Sequence, residues 1–253
     1  MEDSLWFFLL AIPVVLLTGI SKGGFAGGLG TLAVPLLALM VDPRIAAAVM
    51  LPILCVMDIF TVWQYRRDWD AKSLKILIPG ALAGIIVGGL TFRIMNADMI
   101  RIVVGLMSLY FVGNYWFIHR RKGHEEACGH DALKGGMLGA LSGFTSFIAH
   151  AGGPPLSQYI FPLRMDKTKM VATSVVFFLI VNYVKLIPYA WLGQLSGDNL
   201  MMSLYLMPFA PLGVWLGIWM HNRVSNKLFY IICYGLLFLV GLKLFIEGVL
   251  SLF

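Results

Sequence analysis

A few polar residues interrupt long apolar stretches of this chain, and their types can bind an ion, carry a proton or join helices. Lys22 lies between the first two apolar segments. If those segments form a hairpin within a bilayer, Lys22 is a buried cation and a direct partner for an oxyanion; if the first crosses fully, Lys22 sits at a membrane face and snorkels. Asp58 falls between Met57 and Ile59. A carboxylate in lipid needs a partner or a proton, so Asp58 reads as a proton carrier, a partner for Lys22 or a structural acceptor. His150 stands at a second break and can bind an anion, pass a proton or hold a carbonyl as a neutral ring. Asn182 has the hydrogen-bonding capacity for an oxyanion and equally for interhelical contacts.

Around these residues lie two glycine clusters. The first is Gly23, Gly24, Gly27, Gly28 and Gly30; the second is Gly152 and Gly153, with Ser157 and Gln158 about one turn on. A broken helix offers free N–H groups and the positive end of its dipole to an anion, and glycine lets the backbone come close. Tight helix crossing explains the same glycines. The substrate set is therefore Lys22, both glycine clusters, His150, Ser157, Gln158 and Asn182, with Asp58 and His150 as the candidates for coupling to H+ or Na+. Thr173 and Ser174 open a helix and bond to its backbone. Lys185, about a turn from a helix end, reads as snorkelling, and Lys243 as the partner of Glu247 four residues on.

The elements that carry these residues belong to a membrane. Of 253 residues 59% are hydrophobic and 13% charged, against about 25% charged in soluble domains. Several apolar runs approach the ~20 residues that cross a ~30 Å hydrocarbon core. The fold class is thus an all-α polytopic membrane protein, with the lipid bilayer as its surroundings. The start Met1-Glu2-Asp3-Ser4 lacks the basic region of a signal peptide, so the first apolar run is expected to be retained. Cys55, Cys128 and Cys233 suggest no disulfide framework, and the net charge of +6 fits basic cytoplasmic loops better than nucleic acid. His124, Cys128 and His130 lack an obvious fourth ligand, so no metal is expected. No Walker motif is present, and no cofactor is expected.

The segments fall into two halves. Short pairs at 5–20 and 24–41, and again at 132–147 and 152–163, are each followed by three longer helices. These run at about 45–63, 74–92 and 98–118 in the first half, and 169–189, 199–220 and 226–250 in the second. Residues 132–147 would reach about 24 Å as helix and 152–163 about 18 Å, so each pair is two short helices meeting at a break or a re-entrant hairpin. A pair plus three crossings is an odd repeat. Residues 1–118 and 132–253, joined by a cytoplasmic linker at 119–131, are therefore expected to be inverted repeats within one membrane domain. Alternation places thirteen Lys and Arg in cytoplasmic loops and three outside, as the positive-inside rule requires, with both termini outside. The register that lays Asp42-Pro43-Arg44 over Asp166-Lys167-Thr168 puts Asp58 over Asn182, and Gly84 and Gly88 over Gly213 and Gly217. That four-residue spacing is a helix-packing pattern. Interrupted helices at matching places in inverted halves mark a secondary transporter with its site near the midplane.

Gly27-Gly28-Leu29-Gly30-Thr31-Leu32-Ala33-Val34-Pro35-Leu36-Leu37 followed by Asp42-Pro43-Arg44-Ile45-Ala46-Ala47-Ala48, with a second copy from Ala151-Gly152-Gly153-Pro154-Pro155-Leu156 to Lys169-Met170-Val171-Ala172-Thr173-Ser174, resembles the TauE/SafE-type sulfite and organosulfonate exporters over nearly the whole chain. His150 and the Pro154-Pro155 pair depart from a plain glycine run. The resemblance implies a transporter in the bacterial inner membrane that exports sulfite or a small organosulfonate. An anion channel, or an importer of another sulfur anion such as thiosulfate, is the alternative. An enzyme would need a convergent nucleophile and base; His150 and Ser157 are seven residues apart and meet only if the break allows it. A homodimer is compatible with the sequence, but no feature specifies one.

Overall fold

Lipid offers the backbone no hydrogen-bonding partner, so a spanning segment must satisfy itself as a helix. The computed structural model describes residues 2–24, 30–66, 68–120, 129–220, 223 and 226–251, and these are helical throughout apart from short turns and connections. α1 (Glu2–Gly24) precedes a 3-10 turn (Gly30–Leu32) and α2 (Ala33–Leu37); α3 (Pro43–Tyr65), α4 (Ala71–Ile94) and α5 (Ala97–Arg120) follow. α6 (Ala132–Ala149) leads to α7 (Gly153–Ile160), which ends in a 3-10 turn (Phe161–Leu163). Then come α8 (Lys167–Trp191), α9 (Gly197–Leu206), α10 (Phe209–Met220) and α11 (Asn226–Leu250). Among the described residues six helices are long and apolar enough to cross a membrane, and the α9–α10 pair makes a seventh if counted as one span.

Side-chain caps set many of the boundaries. Asp42, Asp70, Asp131 and Asp166 accept hydrogen bonds from the backbone N–H groups of Arg44, Ser73, Lys134 and Lys169, and so start α3, α4, α6 and α8. Each satisfies a helix-end donor that would otherwise have no partner, an effect of about 1 kcal/mol.

Three segments differ from the sequence reading, among them 24–41, whose described part holds only the 3-10 turn Gly30–Leu32 and the five-residue α2. The first segment of the chain is not a short piece ending near residue 20. α1 runs 23 residues without a break, about 34 Å at 1.5 Å per residue, because Pro13 is accommodated inside it and glycine does not stop it before Gly24. The segment 199–220 is not one helix: Pro208 has no N–H to continue the ladder, and α9 meets α10 at a 42° bend. The break between α6 and α7 lies where the sequence put it.

The largest helix contacts pair α4 with α6, α1 with α10, α5 with α11 and α3 with α8. Glycine makes the first two close. A Cβ at Gly84 would lie 2.0 Å from the Ala140 carbonyl oxygen, and one at Gly217 would lie 2.4 Å from that of Ile20. Gly88 likewise faces Phe147, and Gly213 faces Leu16, so the paired glycines serve helix packing. α3 is the most enclosed span, buried continuously from Ala46 to Leu51. Together α3 and α8 form the spine against which α1 and α6 present their inner ends.

Candidate functional site

Asp58 faces the interior from α3 and is fully buried. Lys22, in the last turn of α1, donates to Asp58 Oδ1 and reaches the Leu54 carbonyl at 3.4 Å. Asn182 on α8 donates through Nδ2 to Asp58 Oδ2 at 2.6 Å. Both carboxylate oxygens are thereby engaged, and three helices meet on one side chain. The ion pair spans residues 36 apart in sequence, and the amide bond spans 124.

One turn along α8 stands Lys185, also fully buried. Its ammonium nitrogen lies 2.9 Å from the Ser146 carbonyl oxygen, 3.0 Å from Ser146 Oγ and 2.8 Å from His150 Nδ1. An ammonium has three hydrogens, and these are its three acceptors. His150 Nε2 lies 2.8 Å from the Ala47 carbonyl oxygen on α3. A carbonyl can only accept, so Nε2 carries the hydrogen. Nδ1, facing an ammonium, is then the lone-pair nitrogen. The partners thus define a neutral imidazole protonated on Nε2. The 3.2 Å approach of Nδ1 to the Ser146 carbonyl is then a contact between two acceptors that share Lys185.

The local backbone explains why His150 stands there. It caps α6 with φ 51°, in the left-handed region, and so turns the chain back toward α7. Pro154 and Pro155 occupy the first turn of α7, where a missing N–H costs nothing. Hydroxyls on α6 hold the turn. Ser142 Oγ donates to the Gly152 carbonyl at 2.7 Å, and Thr145 Oγ1 to that of Ala151 at 3.0 Å. At Gly152 a Cβ would lie 2.8 Å from the Ser142 carbonyl oxygen, so the break is pressed onto α6.

The structure thus joins Lys22, Asp58 and Asn182 directly, and brings His150 beside them through Lys185. Gly23 and Gly24, which follow Lys22, lie at the α1–α10 crossing, where a Cβ on either would come within 2.3 Å of an α10 carbonyl oxygen. Gly30 opens the 3-10 turn before α2; Gly27 and Gly28 fall outside the described residues. Gly153 is buried at the start of α7, and Ser157 and Gln158 are half-buried further along it. Gln158 Nε2 is buried without a hydrogen-bond partner. Thr173 and Ser174 donate to α8 backbone carbonyls, and Lys243 pairs with Glu247 at 3.6 Å.

Lys185 is the residue the sequence reading misplaced. Far from snorkelling, it points inward, because it lies three residues after Asn182 and shares that face of α8. Helix residues three apart are neighbours. Once Asn182 was paired with Asp58 by the repeat register, that spacing was the available signal.

Charge is unbalanced here. Among the described residues the buried charged or imidazole side chains are Lys22, Asp58, His150 and Lys185. Asp58 compensates one lysine, His150 is neutral by its partners, and Lys185 has only neutral acceptors. With Lys185 protonated, the centre carries one excess positive charge. Burying an ion without a counter-ion costs several kcal/mol, an expense that a bound anion offsets.

A second polar group closes the end of the bundle where α4, α6 and α8 begin. Asp70 lies 3.6 Å from His130 Nε2 and 4.0 Å from Lys169 Nζ, and its N–H donates to Thr173. Burial opposes the Asp70 charge, but hydrogen bonding from Ser73 and the nearby His130 and Lys169 outweigh it and hold the carboxyl below its usual range.

In comparisons with known proteins, the family model described as sulfite exporter TauE/SafE matches residues 11–244. No curated protein and no solved structure matches the chain.

Proposed function

The chain belongs to the TauE/SafE sulfite exporter family, and on that premise we propose that it exports sulfite or a small organosulfonate by alternating access around the Lys22–Asp58–Asn182 and Lys185–His150 centre. It is a multi-pass membrane protein of an anion-transporting family. The observation that carries the substrate reading is the pair of buried lysines against a single buried carboxylate among the described residues. That excess suits a monoanion such as a sulfonate or hydrogen sulfite. Lys185 supplies the charge, and the buried amide of Gln158 and the backbone at Gly152 and Gly153 supply hydrogen bonds to the oxygens.

Asp58 and His150 are the coupling candidates. A proton, or a Na+ ion at the Asp58 carboxylate, would compete with Lys22 and release α1 from α3. Protonation of His150 would turn Nδ1 from an acceptor for Lys185 into a donor and push the two apart. The helix pairing fits two halves that rock against each other: α4 on α6 mirrors α10 on α1, while α5–α11 and α3–α8 pair like with like. The inverted repeats, the outside location of both termini and the bacterial inner membrane belong to this proposal. A channel reading is disfavoured by the packed aromatic rings of Phe92, Phe147 and Tyr189 beside His150.

The test is ligand-dependent thermal stability of the purified protein at fixed pH and ionic strength. The panel is sulfite, sulfoacetate, taurine, thiosulfate, sulfate and chloride. A ligand that binds only the folded state raises the melting temperature by mass action. Stabilisation by sulfite or a sulfonate and not by chloride is the expected result; equal response to every anion, or none, contradicts the substrate assignment.

A further inference from the structure

At the end of the bundle opposite Asp70, where α3 begins and α4 and α8 end, a cavity of about 340 Å³ is lined by Arg44, Phe92, Arg93, Trp191, Leu192 and Gln194. Two of its six lining residues are arginines and none is acidic. Neither arginine has a carboxylate partner among the described residues. Asp42, the nearest acid in sequence, uses its carboxylate to cap the Arg44 backbone N–H.

Both guanidinium groups are held by aromatic faces. Arg44 lies 5.7 Å from the centre of the Phe92 ring, and Arg93 lies 5.3 Å from that of Trp191. Cation–π contact fixes the position of a guanidinium but consumes none of its five N–H donors. Arg44 Nε is buried and has no hydrogen-bond partner. A buried guanidinium N–H without an acceptor is costly, and a planar fork of such donors matches an oxyanion. Gln194 adds an amide to the lining.

The inner wall of this cavity separates it from the central lysines. Phe92 lines the cavity and packs edge-on against Phe147 at 5.7 Å; Phe147 and Tyr189 lie 4.9 Å apart, and Tyr189 stacks 6.2 Å from His150. The Tyr189 hydroxyl donates to the Phe147 carbonyl at 2.7 Å and ties α8 to α6. One aromatic layer thus divides an arginine-lined chamber from the buried site.

We infer that this chamber is a second, outer binding station for the same class of ligand, a compact sulfur oxyanion or sulfonate, with Arg44 as its main donor and Phe92, Phe147 and Tyr189 as the barrier between the two stations. The inference rests on the anion-transport reading above. The volume exceeds that of a sulfite ion, so the station takes a partly hydrated anion or one with a short organic tail. Its occupancy does not require Lys185.

Trp191, beneath Arg93, is a reporter of the chamber. The experiment is a fluorescence titration of the full-length protein in lipid nanodiscs with sulfite and, separately, methanesulfonate, at constant ionic strength. Wild type is expected to give a saturable change that Trp191→Phe removes. Arg44→Gln is expected to weaken half-saturation at least tenfold, and Gln194→Leu, half-buried in the lining, severalfold. Lys185→Met is expected to leave the Trp191 signal in place. A signal that survives Trp191→Phe, or that keeps its midpoint in both Arg44→Gln and Gln194→Leu, overturns the outer station. Loss of the signal in Lys185→Met also overturns it, since the response would then come from the centre. A signal that depends on Arg44 while no anion stabilises the protein through Lys185 would leave the outer station standing and count against the central site.

Discussion

Lys185→Met should separate anion binding from folding. The ammonium gives its three hydrogens to neutral acceptors, so its removal has two opposed effects on the unliganded protein. Ser146 and His150 lose their donor, at about 1–3 kcal/mol for each group left unsatisfied. Against this, the desolvation of an ion, several kcal/mol, disappears, and methionine refills most of the stem volume. These nearly cancel, so the unliganded melting temperature should move little. Binding has no such offset. Truncating one member of a buried charge pair costs about 2–5 kcal/mol, a loss of about 30-fold to several thousand-fold in affinity. At a sulfite concentration 100 times the wild-type Kd, ligand stabilises by about 2.7 kcal/mol. A 100-fold weaker variant at that concentration retains about 0.4 kcal/mol by the same relation. The assay is thermal unfolding in detergent with and without sulfite, alongside Lys185→Arg, which restores charge and should recover part of the shift. A full ligand-induced shift in Lys185→Met would refute the reasoning, because the excess positive charge would then not be what the anion meets.

Other substitutions probe separate contacts. Asp58→Asn leaves Lys22 buried without its counter-ion and should destabilise by about 3–5 kcal/mol; the double variant Lys22→Met/Asp58→Asn should recover much of that in the same melting assay. Gly84→Val forces α4 off α6, where a Cβ would already lie 2.0 Å from a carbonyl oxygen, and should abolish a monodisperse gel-filtration peak, whereas Gly113→Ala, with open space around it, should not. The Asp70 carboxyl is held below its usual range, so its contribution to stability is present above the unfolded value near 3.8 and is lost as pH falls through the lower folded value. Asp70→Asn should therefore flatten the acid limb of a stability–pH curve measured by thermal unfolding. His150→Phe removes both the acceptor for Lys185 and the donor to Ala47, and sulfite flux into proteoliposomes should fall at least as far as in Lys185→Met.

Much of this was legible in the sequence, where polar residues are rare enough to stand out. Asp58 and Asn182 share a repeat register and prove to share a hydrogen bond. The aspartates that start α3, α4, α6 and α8 precede their helices, as capping requires. The break at His150 lies where Gly152 and Gly153 interrupt the apolar run. Lys22 exposes the limit of a two-way choice: its helix is long enough to cross, yet the side chain is buried, because partner position rather than helix length decides exposure. Lys185 was missed because closeness to a helix end suggests snorkelling, whereas the face it occupies is set by what α6 brings opposite. At Gly23 and Gly24 the sequence leaves two roles together, since close approach to a helix and to an anion both require a missing Cβ; the helix contact is the one the structure describes. The 42° bend at α9–α10 and the arginine chamber depend on which helix ends meet in space, a property no single segment encodes.

The most direct test of the transport account is counterflow of radiolabelled sulfite in proteoliposomes that contain only this protein. Vesicles loaded with unlabelled sulfite or sulfoacetate and diluted into trace label should accumulate label transiently above equilibrium, and Lys185→Met vesicles should not. Label that only equilibrates, at a rate indifferent to the anion inside, would mean a channel and would contradict alternating access around the buried lysines.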